Sequence, residues 1–482
     1  MTEVSLLALL ATPLLAAVGC ILFERGSRVF GVGTGLVELL ALACLIASQI
    51  DAAPFEYRIA GWPAPLGIQF YVDGLSLLML VMSVAVGLGI VLYAGAYFRG
   101  GHGAPGGSGH FYPLFLITWS ALNTVFVSGD LFNWYVTLEL LTLSAVGLVG
   151  LSGDATGTRA ALRYLFAALI ASMLYLLGIG ILYGQYGVLD WRDMAAAAAA
   201  DDVPTTAGVM LITTALAIKT ALFPLHFWLP QAHSAAPAPV SALLSGLVLK
   251  ASFFIQLRIW SLIVPGLDEH GKAALLLASL GAIAVIWGSM QALRQNRAKL
   301  ILAYSSVAQV GYFFFIYAMG PAGEALFGGL YLLLSHGFAK AGAFLAVGAL
   351  MKRAGSDLVG DWGGLARREP VLVLALALAG VNLMGLPPSG GFIGKFVLLS
   401  ASFEQGQIIF AIVLLAGGLA ASIYVFKMVG ATLLTSESED SAPEPELSPA
   451  LRWVPLGLST VSILLCFTPG YFLRLLQSGL AI

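Results

Sequence analysis

Charge is what this chain of 482 residues lacks most. Only 10% of it is Asp, Glu, Lys or Arg, against 59% hydrophobic residues and a mean hydropathy of +0.93. A soluble protein of this length needs a far larger charged surface, so the class is polytopic membrane protein. An excess of either sign is also missing. With 23 Lys and Arg against 25 Asp and Glu the net charge is −2, which excludes a basic nucleic-acid footprint, and no nucleic-acid partner is expected. Cysteine is scarce: Cys20, Cys44 and Cys466 lie far apart in apolar runs. Without a CxxC or Cys/His spacing, neither a metal site nor an iron–sulfur cluster is supported. Paired helical histidines are lacking, which argues against haem, so no cofactor is expected. The opening MTEVSLLALLATPLLAAVGCILF has no basic stretch before its apolar run, and Glu3 stands where a cleaved leader carries positive charge. It reads as a first span.

What the chain has instead is long apolar runs. A helix needs about 20 mostly apolar residues to cross the hydrocarbon core. Runs near 4–23, 29–49, 72–98, 111–128, 131–151, 160–184, 206–231, 237–263, 272–293, 298–319, 323–350, 370–402, 405–434 and 451–474 predict an all-α protein of about 14 transmembrane helices. Loops after odd-numbered spans carry Arg25, Arg28, Arg99, Arg159, Arg294, Arg297, Lys299, Lys352, Arg353, Arg367, Arg368 and Arg452; the other side has little beyond Arg58, Arg192, Lys272 and Arg474. The positive-inside rule then puts both termini on the outer side of the cell membrane. The alanine run after Trp191 reads as a short interfacial helix, and the acidic segment 435–450 as a cytoplasmic linker.

Charges at loop ends are ordinary, so the mid-span ones carry the information. Glu139 is the one acid read as lying deep in a span; against it stand Lys219, Lys250, Lys340 and Lys395, with Lys427 nearer a helix end and within reach of the interface. Each costs about 2.5–3.5 kcal/mol if it faces lipid at the centre, so they must face one another, water or a partner subunit. Lysine suits proton transfer here: burial disfavours its charged form and a nearby carboxylate favours it, so moving the carboxylate away releases the proton. Glu139 and Lys219 make such a switch if their helices are adjacent. Lys250 can take the proton next, and His336, four residues before Lys340 and on the same helix face, is a suitable relay. Lys395 completes a mid-membrane line, and His226, beside the first proline break, joins the proton-carrying set.

Two spans carry helix-breaking residues: Pro224 and Pro230 in one, Pro387, Pro388, Gly390 and Gly391 in the other. Irregular backbone at membrane depth survives only where it lines a cavity or is buried in protein, and broken helices in two halves of a transporter point to the transport path. The matching positions of the breaks predict an inverted repeat of two five-helix bundles, 111–263 and 272–434, each with its broken helix fourth. A three-helix segment, 1–110, precedes them; the linker 435–450 and a last helix in 451–482 follow.

The stretches GDLFNWYVTLEL, KTALFPLHFWLPQAHSAAPAPVSALLSG, RAKLILAYSSVAQVGY, LLSHGFAKAGAFL and GLPPSGGFIGKF resemble the antiporter-like subunits shared by respiratory complex I, membrane-bound hydrogenases and Mrp-type cation/proton antiporters. The resemblance covers nearly the whole chain. It implies 14 helices, an inverted repeat of helices 4–8 and 9–13, and a proton half-channel in each repeat. By motif, Glu139 matches the helix 5 glutamate, Lys219 the lysine of broken helix 7, Lys250 that of helix 8, His336 the helix 11 histidine, and Lys395 the position in broken helix 12. GDLFNWY is most similar to Mrp D-type and hydrogenase subunits, which implies a multi-subunit Na+/H+ antiporter with other membrane subunits as partners. No oxygen-rich cluster in this chain defines a sodium site. The alternative setting is a redox-driven proton pump of the complex I or hydrogenase type, with electrons handled by other subunits.

Overall fold

The computed structural model describes residues 2–50, 52–62, 67–99, 107–197, 203–262, 264, 271–320, 323–434 and 446–477. It is almost entirely helical. The chain opens with α1 (Thr2–Leu22), α2 (Ser27–Gln49) and α3 (Gly74–Tyr97), and continues through α4 (Gly107–Val127), α5 (Leu131–Val149), α6 (Ala155–Tyr186) and the short α7 (Trp191–Ala197). Next come α8 (Val203–Lys219), α9 (Leu229–Ala235), α10 (Ala238–Leu243), a π-helical turn (Leu244–Val248) and α11 (Leu249–Leu262). The second half holds α12 (Lys272–Arg294), α13 (Ala298–Phe313), α14 (Phe315–Ala318), α15 (Gly323–Ala354), α16 (Leu365–Arg368), α17 (Pro370–Met384), α18 (Gly390–Glu404), α19 (Ile408–Leu433), α20 (Pro449–Leu464) and α21 (Pro469–Gln477).

Among the described residues, 12 helices are long and apolar enough to cross a membrane, and two shorter apolar ones, Val203–Lys219 and Pro370–Met384, stand where the sequence places its broken spans. The sequence did not foresee a two-stranded antiparallel hairpin between α2 and α3: β1 (Phe55–Arg58) pairs with β2 (Gln69–Val72), Phe55 opposite Val72 and Arg58 opposite Gln69. Part of the alanine run forms α7, while 198–202 and the acidic 435–445 lie outside the described residues.

Two kinds of helix follow from the apolar composition. Helices that are apolar all round are either enclosed or face lipid. Helix α15, about 48 Å long at 1.5 Å per residue, is enclosed along its apolar window, with α3, α10, α13, α17, α18 and α20 packed around it. Helices α1, α2, α6 and α19 instead leave Leu15, Leu40, Met173 and Leu419 exposed on one side. Small residues permit the close crossings that membrane packing needs: a Cβ on Gly281 of α12 would fall 2.5 Å from the Gly311 carbonyl of α13.

Candidate functional site

Helix α5 starts at Leu131 because the Asp130 side chain accepts the Asn133 backbone N–H at 2.6 Å, filling one orphan donor of the first turn. Two turns further in stands Glu139. Helix α8 stops at Lys219. Pro224 has no N–H to continue a helical ladder and disfavours helical backbone before it, and Ala221 adopts φ +59°. The carbonyls freed at this end find other donors: Ile218 O takes Trp228 Nε1 at 3.0 Å, and Ala217 O takes Leu222 N at 3.0 Å. Trp228 is itself stacked on Tyr164 of α6 at 4.2 Å between ring centroids, which holds the break against α6. The result aims Lys219 Nζ at Glu139 Oε1, 3.2 Å away, and at Thr142 Oγ1, 3.1 Å away. Ser172 Oγ of α6 donates to the same Glu139 oxygen. The pair is enclosed, with side-chain exposures of 6% for Lys219 and 20% for Glu139.

The next lysines meet on α13. Lys250 is fully buried just past the π-helical turn, and its Nζ donates to the Ser245 carbonyl within that turn. Ser245 Oγ lies 2.8 Å from Ser306 Oγ of α13. From the other side Lys340 of α15, also fully buried, donates to Leu302 O at 2.8 Å and to Ser305 Oγ. His336, one turn earlier on α15, presents its ring to Phe313 of α13 at 5.5 Å, so both groups do face the same helix. Among the described residues neither His336 ring nitrogen has a hydrogen-bond partner.

At the second break Gly385 adopts φ +80°, and α17 ends there. Lys395 reaches back from α18 to the carbonyls this leaves, Leu383 O at 2.7 Å and Met384 O at 3.2 Å, with its Nζ 4.7 Å from the centre of the Tyr312 ring. Ser389 Oγ accepts Phe392 N at 3.0 Å and starts α18. Asn382 Oδ1 accepts Gly391 N at 2.8 Å.

Several expectations need correction. Pro230 does not break a helix: it lies in the first turn of α9, where no backbone donor is needed. Gly390 and Gly391 are the first residues of α18, so the second interruption is 385–389, with Pro387 and Pro388 inside it. His226 lies in the first interruption, stacked on Phe223 at 5.5 Å, and among the described residues no hydrogen bond joins it to Glu139 or Lys219. Nor does one join Lys219 to Lys250, or His336 to Lys395, so the line is a set of separate stations. Lys427 donates to Gln295 O at 2.6 Å and Asn296 Oδ1 at 2.9 Å, away from the buried set.

Glu139 is not the only acid deep in a span, since Glu38 of α2 is fully buried. Its signal is the same as that of Glu139, an acid with apolar sequence on both sides. Arg258 was overlooked in span 237–263; it forms a two-pronged pair with Asp73, at 2.5 and 2.6 Å, that ties α11 to the start of α3. Lys299, a loop-end charge by sequence, is buried and donates to Ser234 O and Ala236 O at the end of α9. His233 is fully buried, stacked on Phe344 at 4.7 Å, with neither ring nitrogen partnered among the described residues. Among the described residues no group of three or more His, Cys, Asp or Glu is placed to hold a metal ion.

A family model described as NADH:quinone oxidoreductase/Mrp antiporter, transmembrane, matches residues 128–420, well over half of the chain. The chain belongs to that family. This NADH:quinone oxidoreductase/Mrp antiporter family member is 35% identical to the N subunit of the NADH-quinone oxidoreductase of Desulforudis audaxviator, over 86% of the chain and 84% of the relative. It is 27% identical to the D-type subunit of the Na(+)/H(+) antiporter of Bacillus subtilis, over 92% and 89%. Its structure resembles a chain of the Mrp complex from Dietzia sp., with a TM-score of 0.88 at 25% identity, covering 99% of this chain and 97% of the other. It also resembles a chain of respiratory complex I from Thermus thermophilus, with a TM-score of 0.81 at 26% identity, covering 96% and 97%. The family member is therefore a multi-pass, antiporter-like membrane subunit of the Mrp or complex I type.

Proposed function

We propose that this chain moves protons through the membrane as one subunit of a multi-subunit cation/proton antiporter of the Mrp type, using Glu139, Lys219, Lys250, Lys340, His336 and Lys395 as stations. The observation that carries this reading is the Lys219–Glu139 contact of 3.2 Å at the end of an interrupted helix. Paired, the carboxylate holds the ammonium in its charged form; separated, the buried lysine is left with Thr142 and gives its proton up. Lys250 is the next acceptor and Lys340 the one after it, on the opposite side of α13. Lys395 ends the line at the second interruption. His226, at the first interruption, is assigned to the route by which protons reach Lys219.

The same reading takes 111–263 and 272–434 as inverted repeats, supported by one interrupted helix in each, and places both termini on the outer side on the strength of the loop charges. Sodium is the proposed counter-ion, bound elsewhere in the assembly, with other membrane subunits as partners. The 27% identity to the Na(+)/H(+) antiporter D subunit, over 92% of the chain, supports this setting. A second setting, the proton-pumping arm of an NADH:quinone oxidoreductase, is favoured by the 35% identical relative.

The test uses inside-out vesicles carrying the whole complex and a fluorescent reporter of the proton gradient. Respiration builds the gradient, the electron donor is then exhausted, and sodium is added. Collapse of the gradient by sodium, lost in Lys219→Ala, is the expected result. If sodium does nothing and gradient formation itself needs an electron donor and Lys219, the redox-pump setting replaces it. Retained transport in Lys219→Ala under both regimes would sink the proton role altogether.

A further inference from the structure

Helix α2 carries an acid for which the stations above have no use. Glu38 is fully buried, while Leu36 and Leu40 on either side of it are exposed on the outer surface of the helix. Its Oε2 accepts Asn123 Nδ2 of α4 at 2.8 Å, and its Oε1 has no hydrogen-bond partner among the described residues. Asn123 Nδ2 also donates to Leu9 O of α1 at 3.0 Å, and Asn123 Oδ1 accepts Ser83 Oγ of α3 at 2.7 Å. The three helices packed around α2 are thus tied together at one depth, around a carboxyl group.

None of them brings a cation. Helices α3 and α4 contain no Asp, Glu, Lys or Arg, and α1 contains only Glu3. On α2 itself Arg28 lies ten residues back, about 15 Å along the axis. The other titratable groups on the packed helices, Cys20 of α1, Tyr93 and Tyr97 of α3, and His110 and Tyr112 of α4, all lie toward the Arg28 end; Cys44 of α2 is exposed. An ionised carboxylate without a cation is far more expensive in such surroundings than the neutral acid. Hydrogen bonding alone does not call for an acid either. Glu38 uses one oxygen as an acceptor, which a glutamine carbonyl does equally well. What the carboxyl adds is a proton.

Its depth is informative. Thr118 Oγ1 of α4 donates to Ser144 Oγ of α5 at 2.8 Å, which fixes the register of this antiparallel pair. Five residues along both helices toward their connecting turn, the level reached is Asn123 on α4 and Glu139 on α5. Glu38 and Glu139 therefore lie at the same depth, on two helices that both pack against α4.

We propose that Glu38 is a further proton site of this subunit, loaded and unloaded during turnover, which extends the Glu139–Lys219 station across α4 to the α1–α2 side of the chain. Unloading passes the proton across α4 toward the Glu139–Lys219 station and leaves a carboxylate whose Oε2 the Asn123 amide already holds; reloading takes a proton back from that station and restores the neutral acid. The proposal rests on the proton-translocation reading, and its test separates the two.

Glu38→Gln, Glu38→Asp and Glu139→Gln are prepared in the intact complex, with proton movement measured in vesicles and the protonated-carboxyl band followed by infrared difference spectroscopy during turnover. Glu38→Gln is expected to assemble, to lose the band and to slow transport at least tenfold, with partial recovery in Glu38→Asp. Native-rate transport in Glu38→Gln beside an inactive Glu139→Gln would make Glu38 a plain hydrogen bonder and overturn the proposal alone. Native-rate transport in Glu139→Gln would remove the underlying reading and this one with it. Should Glu38→Gln fail to assemble, the wild-type and Glu38→Asp spectra decide: a turnover-dependent carboxyl band that moves in the aspartate variant supports the site, and an unchanged spectrum refutes it.

Discussion

Replacing Glu139 by glutamine keeps the shape of the side chain and removes its charge. Lys219, 6% exposed, then has Thr142 Oγ1 at 3.1 Å and a neutral amide oxygen beside it, but no counter-charge. Removing one partner of a buried ion pair costs about 3–5 kcal/mol, because the other charge is stranded. Lys219→Met strands Glu139 in the same way, though its carboxylate keeps Ser172 Oγ as a donor and is 20% exposed, so the cost falls toward the lower limit. Combining the two strands nothing. The double variant is expected to recover most of the lost stability, with a coupling free energy of about 2–4 kcal/mol. Transport behaves differently: a barrier raised by about 3 kcal/mol slows it about a hundredfold, and removing both charges restores none of it. Thermal denaturation of the purified wild type and the three variants gives the first quantity, and vesicle proton flux the second. Additive stabilities would show that the pair does not form, and a double variant that transports would show that it is a structural tie.

Other expectations follow from single contacts. Asp130, in the turn before α5 and outside the spans, has its carboxyl pushed up to about 6 by desolvation, against the pull of the Asn133 backbone N–H. The folded state then binds more protons than the unfolded one between about pH 4 and 6, so stability falls by about 3 kcal/mol as pH rises through that window. Asp130→Asn keeps the helix cap and is expected to flatten this slope in pH-dependent melting. Gly391→Ala places a Cβ 2.1 Å from the Asn382 carbonyl, so α18 must shift away from α17 and displace Lys395; the expected result is a complex that does not assemble, read by native gel. Arg258→Ala strands Asp73, whose side chain is 0% exposed, and is expected to cost about 3–5 kcal/mol in thermal denaturation. Asp73→Asn together with Arg258→Ala recovers part of it.

Much of this was legible in the chain because the bilayer is a severe filter. An acid or lysine flanked by apolar residues stands out, which is why Glu139, Lys219, Lys250, Lys340 and Lys395 could be named, and prolines within apolar runs marked both interruptions. What could not be read was who meets whom. The contact of Glu139 with Lys219 depends on the register of α5 against α8, and that register is set by packing rather than by either helix's own sequence. The same holds for Lys299, which looks like a loop-end charge until the fold brings the end of α9 onto it, and for Arg258, whose partner lies 185 residues away. The hairpin of β1 and β2 was missed because four-residue strands between two long apolar runs carry little periodic signal. Glu38 is a different case. Its flanks, GLVELLALAC, were as informative as those of Glu139, and the signal was there to be used.

The two interruptions solve one electrostatic problem from opposite directions. In each, the first half-helix ends with free carbonyls and the negative end of its dipole inside the membrane. At the first, Lys219 is the last residue of α8, so its ammonium leaves from that negative end and is met by Glu139. At the second, Lys395 belongs to the following helix and returns to the negative end of α17, where Leu383 O and Met384 O receive it directly. Both ammoniums are steadied by a helix terminus, but only Lys219 is also steadied by an acid on another helix. A small movement of α5 against α8 would separate two opposite charges, whereas a movement of α18 against α17 would part Lys395 only from neutral carbonyls. On the proton-translocation reading proposed above, switching by separation of opposite charges therefore belongs to the first of the two interruptions. On the same proposed reading the driven step lies at the Glu139 end, and Lys395, which meets carbonyls rather than an acid among the described residues, takes the responding step.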